Sequence, residues 1–207
     1  MSTGCPRLTD EAAGAALAAG KVLLLATDTI CGLHARADDA AALARLLALK
    51  GRRPEQPFLV LAASVEQALA LCRTLPGRSR SVCTAAWPGP FTFILPAVDG
   101  LADLVCDRER GTVAVRVPGR ADLCRLIALA GGAVASTSAN ATGQPPLANL
   151  EEAVAAFGGR VDGWWPGGEG AVAGTAASEA RPSALVDLTV QPPRVLRPGP
   201  VALPEGA

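Results

Sequence analysis

Several residue types that often carry chemistry are scarce in this 207-residue sequence. It has no tyrosine, a single histidine, four phenylalanines, three tryptophans, and only two lysines among its nineteen basic residues. A nucleophile–histidine–acid triad would have to use that histidine, His34, and no nucleophile-elbow sequence accompanies it. We therefore expect His34 to be a solvent-facing or hydrogen-bonded residue and not a catalytic base.

Long apolar runs, common phosphate loops and metal-ligand spacings are also missing. No run approaches the ~20 apolar residues that a membrane-spanning helix needs, and neither G-x-x-x-x-G-K-[ST] nor G-x-G-x-x-G occurs. The six cysteines are scattered without a C-x-x-C pair, and no apolar signal segment opens the chain. Nineteen acidic residues balance the nineteen basic ones, so no global field draws the protein to nucleic acid. These absences favour a cytoplasmic protein with reduced thiols, no membrane association and no metal ligands of its own.

Helical and strand patterns alternate along the chain, and several strands follow one another directly. Apolar periodicity and capping residues predict helices over residues 10–20, 38–50, 64–71, 122–130 and 150–157. Short apolar runs predict strands over residues 22–26, 58–61, 91–95, 112–117, 134–136, 184–188 and 194–196. This order predicts an α/β fold with a mixed sheet flanked by helices, in a single domain spanning residues 1–207.

Polar and basic segments follow several of these predicted strands. The segment 27–32, T-D-T-I-C-G, comes directly after the first strand, at the end where α/β sheets bind ligands. Lys50 and Arg52 lie in a helix-to-strand loop that contains two prolines, and the segment 136–140, S-T-S-A-N, follows a later strand. Each segment has an ordinary structural interpretation as a turn or a solvated loop. Together with Arg116 and Arg197, they predict a pocket for a polyanionic ligand.

Arg116 is the one charged residue in the apolar strand V-A-V-R-V. Burying it without an anion would be costly. It therefore pairs either with a protein carboxylate or with a ligand carboxylate, which its planar guanidinium can bind through two hydrogen bonds.

An ordered series of motifs resembles the YrdC-like family. The series is T-D-T-x-x-G-L (27–33), K-G-R followed by Pro57 (50–57), W-P-G-P-F-T (87–92), T-V-A-V-R-V-P (112–118), S-T-S-A-N-x-x-G (136–143), P-S-A-L-V-D (182–187) and L-R-P-G-P (196–200). It extends over residues 10 to 200, and its order makes the resemblance specific. Some positions depart from the family pattern, among them Cys31, Arg53 and Ala184.

The resemblance implies a twisted mixed α/β sheet with a concave basic cavity. It implies a nucleotidyltransferase that joins L-threonine, bicarbonate or CO2, and ATP into L-threonylcarbamoyl-AMP and pyrophosphate. The product would supply separate proteins that place the t6A modification on tRNA, and Mg2+ would arrive with ATP. By motif, threonine would contact Thr29, Arg116 and Ser183. The nucleotide would contact Lys50, Arg52, Gln56, Thr112, Ser138, Asn140 and Arg197, with Lys50 and Arg52 as the catalytic cations.

The sequence leaves two alternative functions open and predicts one mobile segment. A carbamoyltransferase that uses a carbamoyl-adenylate is one alternative. The other is an RNA-binding module of the same fold, with weak RNA binding as a secondary property. We also expect residues 167–182, which are rich in Gly and Ala, to close over the site as a lid.

Overall fold

The structure is a computed structural model that describes residues 4–141, 143–145, 147, 149–168 and 181–203. Residues 169–180 of the expected lid lie outside the described residues. The helices are α1 (Asp10–Ala18), α2 (Ala40–Lys50), α3 (Val65–Ala70), α4 (Gly77–Ala86), α5 (Ala121–Leu129) and α6 (Leu150–Phe157), which continues into a 3-10 turn at Gly158–Arg160. The strands are β1 (Leu23–Leu25), β2 (Gly32–Arg36), β3 (Leu59–Leu61), β4 (Phe91–Pro96), β5 (Cys106–Asp107), β6 (Thr112–Arg116), β7 (Val134–Ser138), β8 (Gly163–Trp165), β9 (Ala184–Asp187) and β10 (Arg194–Arg197).

Side-chain caps start three of the predicted helices. The side-chain oxygens of Thr9, Asp39 and Ser64 each accept from a backbone N–H two or three residues further on, which satisfies donors that the first helical turn leaves unpaired. The second helix therefore begins at Ala40, two residues later than predicted. It ends at Gly51, whose φ of 62° lies in the left-handed region that favours glycine.

The strands form one mixed sheet in the order β10-β9-β4-β6-β3-β7-β2-β1-β8, with β5 added beside β6. The pairs β1–β8, β3–β6 and β4–β9 are parallel, and the other pairs are antiparallel. The predicted mixed α/β sheet is thereby confirmed. The single-domain interpretation stays a prediction.

The sequence patterns do not predict α4, β2, β5 or β8. No side chain caps α4, and its sequence, G-R-S-R-S-V-C-T-A-A, has a single large apolar residue. Strand β2 follows a turn motif and carries two polar side chains, His34 and Arg36. These elements form through their neighbours in the sheet and the core, because their local sequence gives a weak signal.

The two faces of the sheet are covered by cores of different size, and the face with the smaller core has room for a site. In β6, Val113 and Val115 enter the larger core together with residues of α2, α4 and α6. Successive strand residues point to opposite faces, so Ala114 and Arg116 lie on the other one. On that face α1 and α5 cover only a smaller core, which includes Leu23, Leu61 and Val134.

Candidate active site

A cavity of about 370 Å³ opens beside the smaller core, on the same face of the sheet as Arg116. It contains seven of the ten residues that the motifs predict: Thr29, Arg52, Arg116, Ser138, Asn140, Ser183 and Arg197. Arg116, Ser138 and Arg197 belong to β6, β7 and β10, which come from distant parts of the sequence and meet in one sheet. The sheet topology therefore brings three arginines and several hydroxyl groups to one enclosure.

Arg116 lies at the centre of the site, with 3% of its surface exposed. Its Nε donates to the Gly89 carbonyl oxygen at 3.0 Å, and its Nη1 donates to Thr29 Oγ1 at 2.7 Å. Its Nη2 forms an ion pair with Asp28 Oδ2 at 2.6 Å. Burial lowers the pKa of Arg116, while Asp28 opposes that shift. Of the two partners that the sequence left open, a protein carboxylate is thus present in the structure.

The ion pair leaves hydrogen-bonding capacity unused. Asp28 Oδ1 and Arg116 Nη2 are both buried, and neither has a hydrogen-bond partner among the described residues. The contact between Arg116 and Asp28 is close, but its angles do not make it a hydrogen bond. Buried donors without partners are costly. Arg116 lies in the cavity wall, but this nitrogen has no exposed surface, so a ligand reaches it only when Asp28 or a neighbouring group moves.

The T-D-T motif sends alternate side chains in opposite directions. Asp28 Oδ2 also accepts from the backbone N–H of Gly119 at 2.8 Å, outside the cavity lining. Thr27 Oγ1 donates to the Ile30 carbonyl oxygen at 2.7 Å, so in its 3.2 Å contact with Thr29 Oγ1 the donor is Thr29. The Thr29 hydroxyl thereby accepts from Arg116 and donates to Thr27. Both threonines serve to hold the guanidinium in place.

Lys50 lies behind the cavity wall and does not line the cavity. Its Nζ donates to the carbonyl oxygens of Ser138 and Asn140, each at 2.8 Å, and lies 2.5 Å from Asn140 Oδ1. Burial, and secondarily the nearby charge of Arg52, lower the pKa of Lys50 to about 8. In this structure Lys50 therefore fixes the turn after β7, which carries Ser138 and Asn140 into the wall.

Arg52 does line the cavity, but two other predicted nucleotide contacts do not. The guanidinium carbon of Arg52 lies 5.5 Å from the centre of the Phe58 ring, within reach of a cation–π interaction. Gln56 is exposed in the turn, where its backbone N–H donates to the Arg53 carbonyl oxygen. Thr112 lies at the start of β6, two residues before Ala114, and is buried outside the cavity. Neither Gln56 nor Thr112 lines the cavity, and their contacts with the nucleotide stay predictions.

Ser183 and Arg197 meet in the cavity wall. Nε and Nη2 of Arg197 both donate to the Ser183 carbonyl oxygen, at 3.1 and 2.9 Å, and burial lowers the pKa of Arg197. Ser183 Oγ lies 2.8 Å from Thr92 Oγ1. Thr92, which was not named as a site residue, also lines the cavity, as does Ser136 of the predicted segment 136–140. Asp28 is the carboxylate that pairs with Arg116. A usable signal was present for Thr92, which is the one polar residue in the otherwise apolar strand F-T-F-I-L-P.

Comparison with known proteins decides the family. A family model named Sua5/YciO/YrdC, with the description "Telomere recombination", matches residues 15–199. The chain belongs to this family. A threonylcarbamoyl-AMP synthase from Chromohalobacter salexigens is 35% identical over 188 residues, which cover 91% of this chain and 96% of that protein. A threonylcarbamoyl-AMP synthase from Pyrococcus abyssi is 33% identical over 186 residues, 90% of this chain. The chain spans only 52% of the Pyrococcus protein.

A solved structure of the family gives the same result. The crystal structure of P. abyssi Sua5 complexed with L-threonine superposes with a TM-score of 0.80 at 30% identity, over 92% of this chain and 54% of that one. The family and fold that the sequence motifs predicted are confirmed, and the synthase that they predicted is the enzyme named among these relatives. No helix in the described part of the chain is long and apolar enough to cross a bilayer.

Proposed function

We propose that this chain catalyses the formation of L-threonylcarbamoyl-AMP and pyrophosphate from L-threonine, bicarbonate or CO2, and ATP. The observation that carries the proposal is the site around Arg116. A buried guanidinium with an unsatisfied N–H group shares one cavity with Arg52 and Arg197. The names of the relatives, and the threonine complex of the Pyrococcus protein, support the same activity.

The reaction needs no protein nucleophile. The threonine amine adds to CO2 and loses a proton, which gives a carbamate. A carbamate oxygen then attacks the α-phosphate of ATP, the bond to the β-phosphate breaks, and pyrophosphate leaves with the electron pair. The protein must hold the reactants in line and neutralise the charge that moves to the leaving group. A cavity with arginines and hydroxyls on its walls suits that task.

We divide these roles among the residues of the cavity wall. Arg116, with Thr29 beside it, would bind the threonine carboxylate, and Ser183 would lie near the amino acid. Arg52, Arg197 and the turn of Ser138 and Asn140 would bind the nucleotide, with Lys50 holding that turn. The nucleotide contacts of Gln56 and Thr112 stay predictions, since neither residue lines the described cavity.

Magnesium fits this site only as a companion of ATP. The described cavity lining contains no carboxylate, the ligand type that Mg2+ prefers to take from proteins. The described residues also include no group of three or more His, Cys, Asp or Glu side chains placed to share a metal. We therefore expect the phosphates to hold the ion. The product would pass to the proteins that place threonylcarbamoyl groups on tRNA.

Pyrophosphate release tests the proposal. The assay uses the purified chain with ATP and omits threonine or bicarbonate in turn, and we expect release only when both are present. Arg52→Ala should slow release about 10²-fold, because a cation aligned with the leaving group acts mainly in the transition state. Arg53→Ala is the matched control, since Arg53 is adjacent, exposed and outside the cavity lining. Release without threonine, or equal small effects of the two variants, would contradict the proposal.

A further inference from the structure

His34 and Ser136 form a buried pair that the proposed reaction leaves unused. They lie directly opposite each other on the antiparallel strands β2 and β7. His34 Nε2 lies 3.0 Å from Ser136 Oγ. His34 has no exposed surface, whereas Ser136 is 8% exposed and lines the cavity. The histidine therefore reaches the site only through the serine.

The second ring nitrogen assigns the tautomer of His34. Nδ1 lies 3.0 Å from the carbonyl oxygen of Gly32. A carbonyl oxygen can only accept, so Nδ1 carries the proton of the neutral ring. Burial lowers the pKa of His34 to about 4, so the ring is neutral at pH 7 and Nε2 is an acceptor. The Ser136 hydroxyl must then donate to Nε2.

This arrangement fixes what Ser136 can offer to a ligand. A serine hydroxyl has one proton and two lone pairs. Because the proton is directed to the histidine beneath it, only lone pairs face the cavity. Ser136 then accepts hydrogen bonds from a ligand and does not donate.

The space for the histidine ring depends on a glycine. A Cβ on Gly32 would lie 2.9 Å from His34 Cε1 and 2.7 Å from the Thr137 carbonyl oxygen. Any side chain at this position would push the ring or the neighbouring strand away. Gly32 thus supplies both the carbonyl that assigns the tautomer and the room that the ring occupies.

We propose that His34 is a positioning residue that holds the Ser136 hydroxyl as a fixed hydrogen-bond acceptor for an N–H or O–H group of a bound substrate. The inference rests on the proposed function for the identity of the substrates, threonine and ATP. Both carry such donor groups, and their separate dissociation constants will distinguish them.

The first experiment needs no substrate. His34 is the single histidine of the chain, so its side-chain 15N resonances are unambiguous. We expect a protonated Nδ1 and an unprotonated Nε2 at pH 7, and a changed Nε2 resonance in Ser136→Ala. A proton on Nε2 would overturn the inference, since the histidine would then donate and leave the serine proton free. A failure of synthase activity would leave this result unaffected.

The second experiment separates positioning from structural support. The amide of a glutamine at position 34 can place its oxygen near the Nε2 position, whereas an asparagine amide can place its nitrogen near Nδ1. His34→Gln should therefore retain most substrate affinity. His34→Asn keeps the bond to Gly32 and should raise one dissociation constant, for threonine or for ATP, about 5- to 10-fold, as should Ser136→Ala.

Calorimetric titration of each substrate gives these constants without turnover, and thermal unfolding checks that each variant is folded. In the Ser136→Ala background, His34→Asn should have no further effect, because the histidine acts through the hydroxyl. If the two substitutions multiply their effects on the dissociation constant, His34 only supports the Gly32 turn. The same conclusion follows if His34→Gln loses more substrate affinity than His34→Asn.

Discussion

Replacing Arg116 with lysine tests the role of this residue, because the substitution keeps the positive charge and removes the planar guanidinium with its several N–H donors. The guanidinium makes two hydrogen bonds, to Gly89 and Thr29, and an ion pair with Asp28. A lysine ammonium can remain near Asp28, so no unpaired carboxylate is left buried. It cannot also replace both hydrogen bonds, since its donors lie on one nitrogen.

The size of the effect follows from these contacts. Hydrogen bonds to charged groups contribute about 1.5–3 kcal/mol each, so losing two should destabilise the fold by roughly 3–6 kcal/mol. A domain of this size has about 5–15 kcal/mol in total, so the unfolding measurement also checks that the variant is folded. Losing the guanidinium as the group that binds the threonine carboxylate should weaken threonine binding about 10-fold or more.

Two measurements check this prediction. Urea unfolding gives the change in stability, and calorimetric titration gives the dissociation constant of threonine. Arg53→Lys is the control, because it makes the same chemical change at an exposed position. If Arg116→Lys matches this control in both measurements, the assignment of Arg116 to the threonine carboxylate is wrong.

Three further predictions concern other parts of the site. As pH rises through about 8, Lys50 loses its charge, so kcat/KM for ATP should fall in the wild type. The pH profile of Lys50→Met should lack this fall. The same fall in Lys50→Met would show that Lys50 is not the group that titrates. Burial lowers the pKa of His34 from 6.5 to about 4. Between these pH values the unfolded chain binds more protons than the folded protein does, so the free energy of unfolding should fall by about 3 kcal/mol from pH 7 to pH 4. Urea unfolding should show a flatter dependence in His34→Gln, and equal slopes would contradict the shift. Arg197→Lys cannot make both bonds to Ser183, so calorimetry should show ATP binding weakened about 10-fold; an unchanged constant would place Arg197 outside the nucleotide site.

Local patterns in the sequence were sufficient for the fold class, and seven of the ten residues that they singled out line one cavity. The helices that Thr9 and Ser64 cap begin within one residue of their predicted starts, because a cap depends on a few neighbouring residues. The charged residue in the apolar strand of Arg116 indicated a buried ion pair or a ligand contact, since burying an unpaired charge is costly. The order of the motifs indicated the family before any strand was paired.

Only the tertiary structure decided which partner each polar group has. Asp28 meets Arg116 through contacts between residues far apart in the chain, and His34 meets Ser136 across β2 and β7. Lys50, which the sequence placed beside the ligand, donates to carbonyl oxygens of the turn after β7. The sequence determined which residues carry charge and which alternate along a strand, because both properties are local. Strand order and register bring distant segments together, so they decide whether a polar group faces the cavity or another residue of the chain.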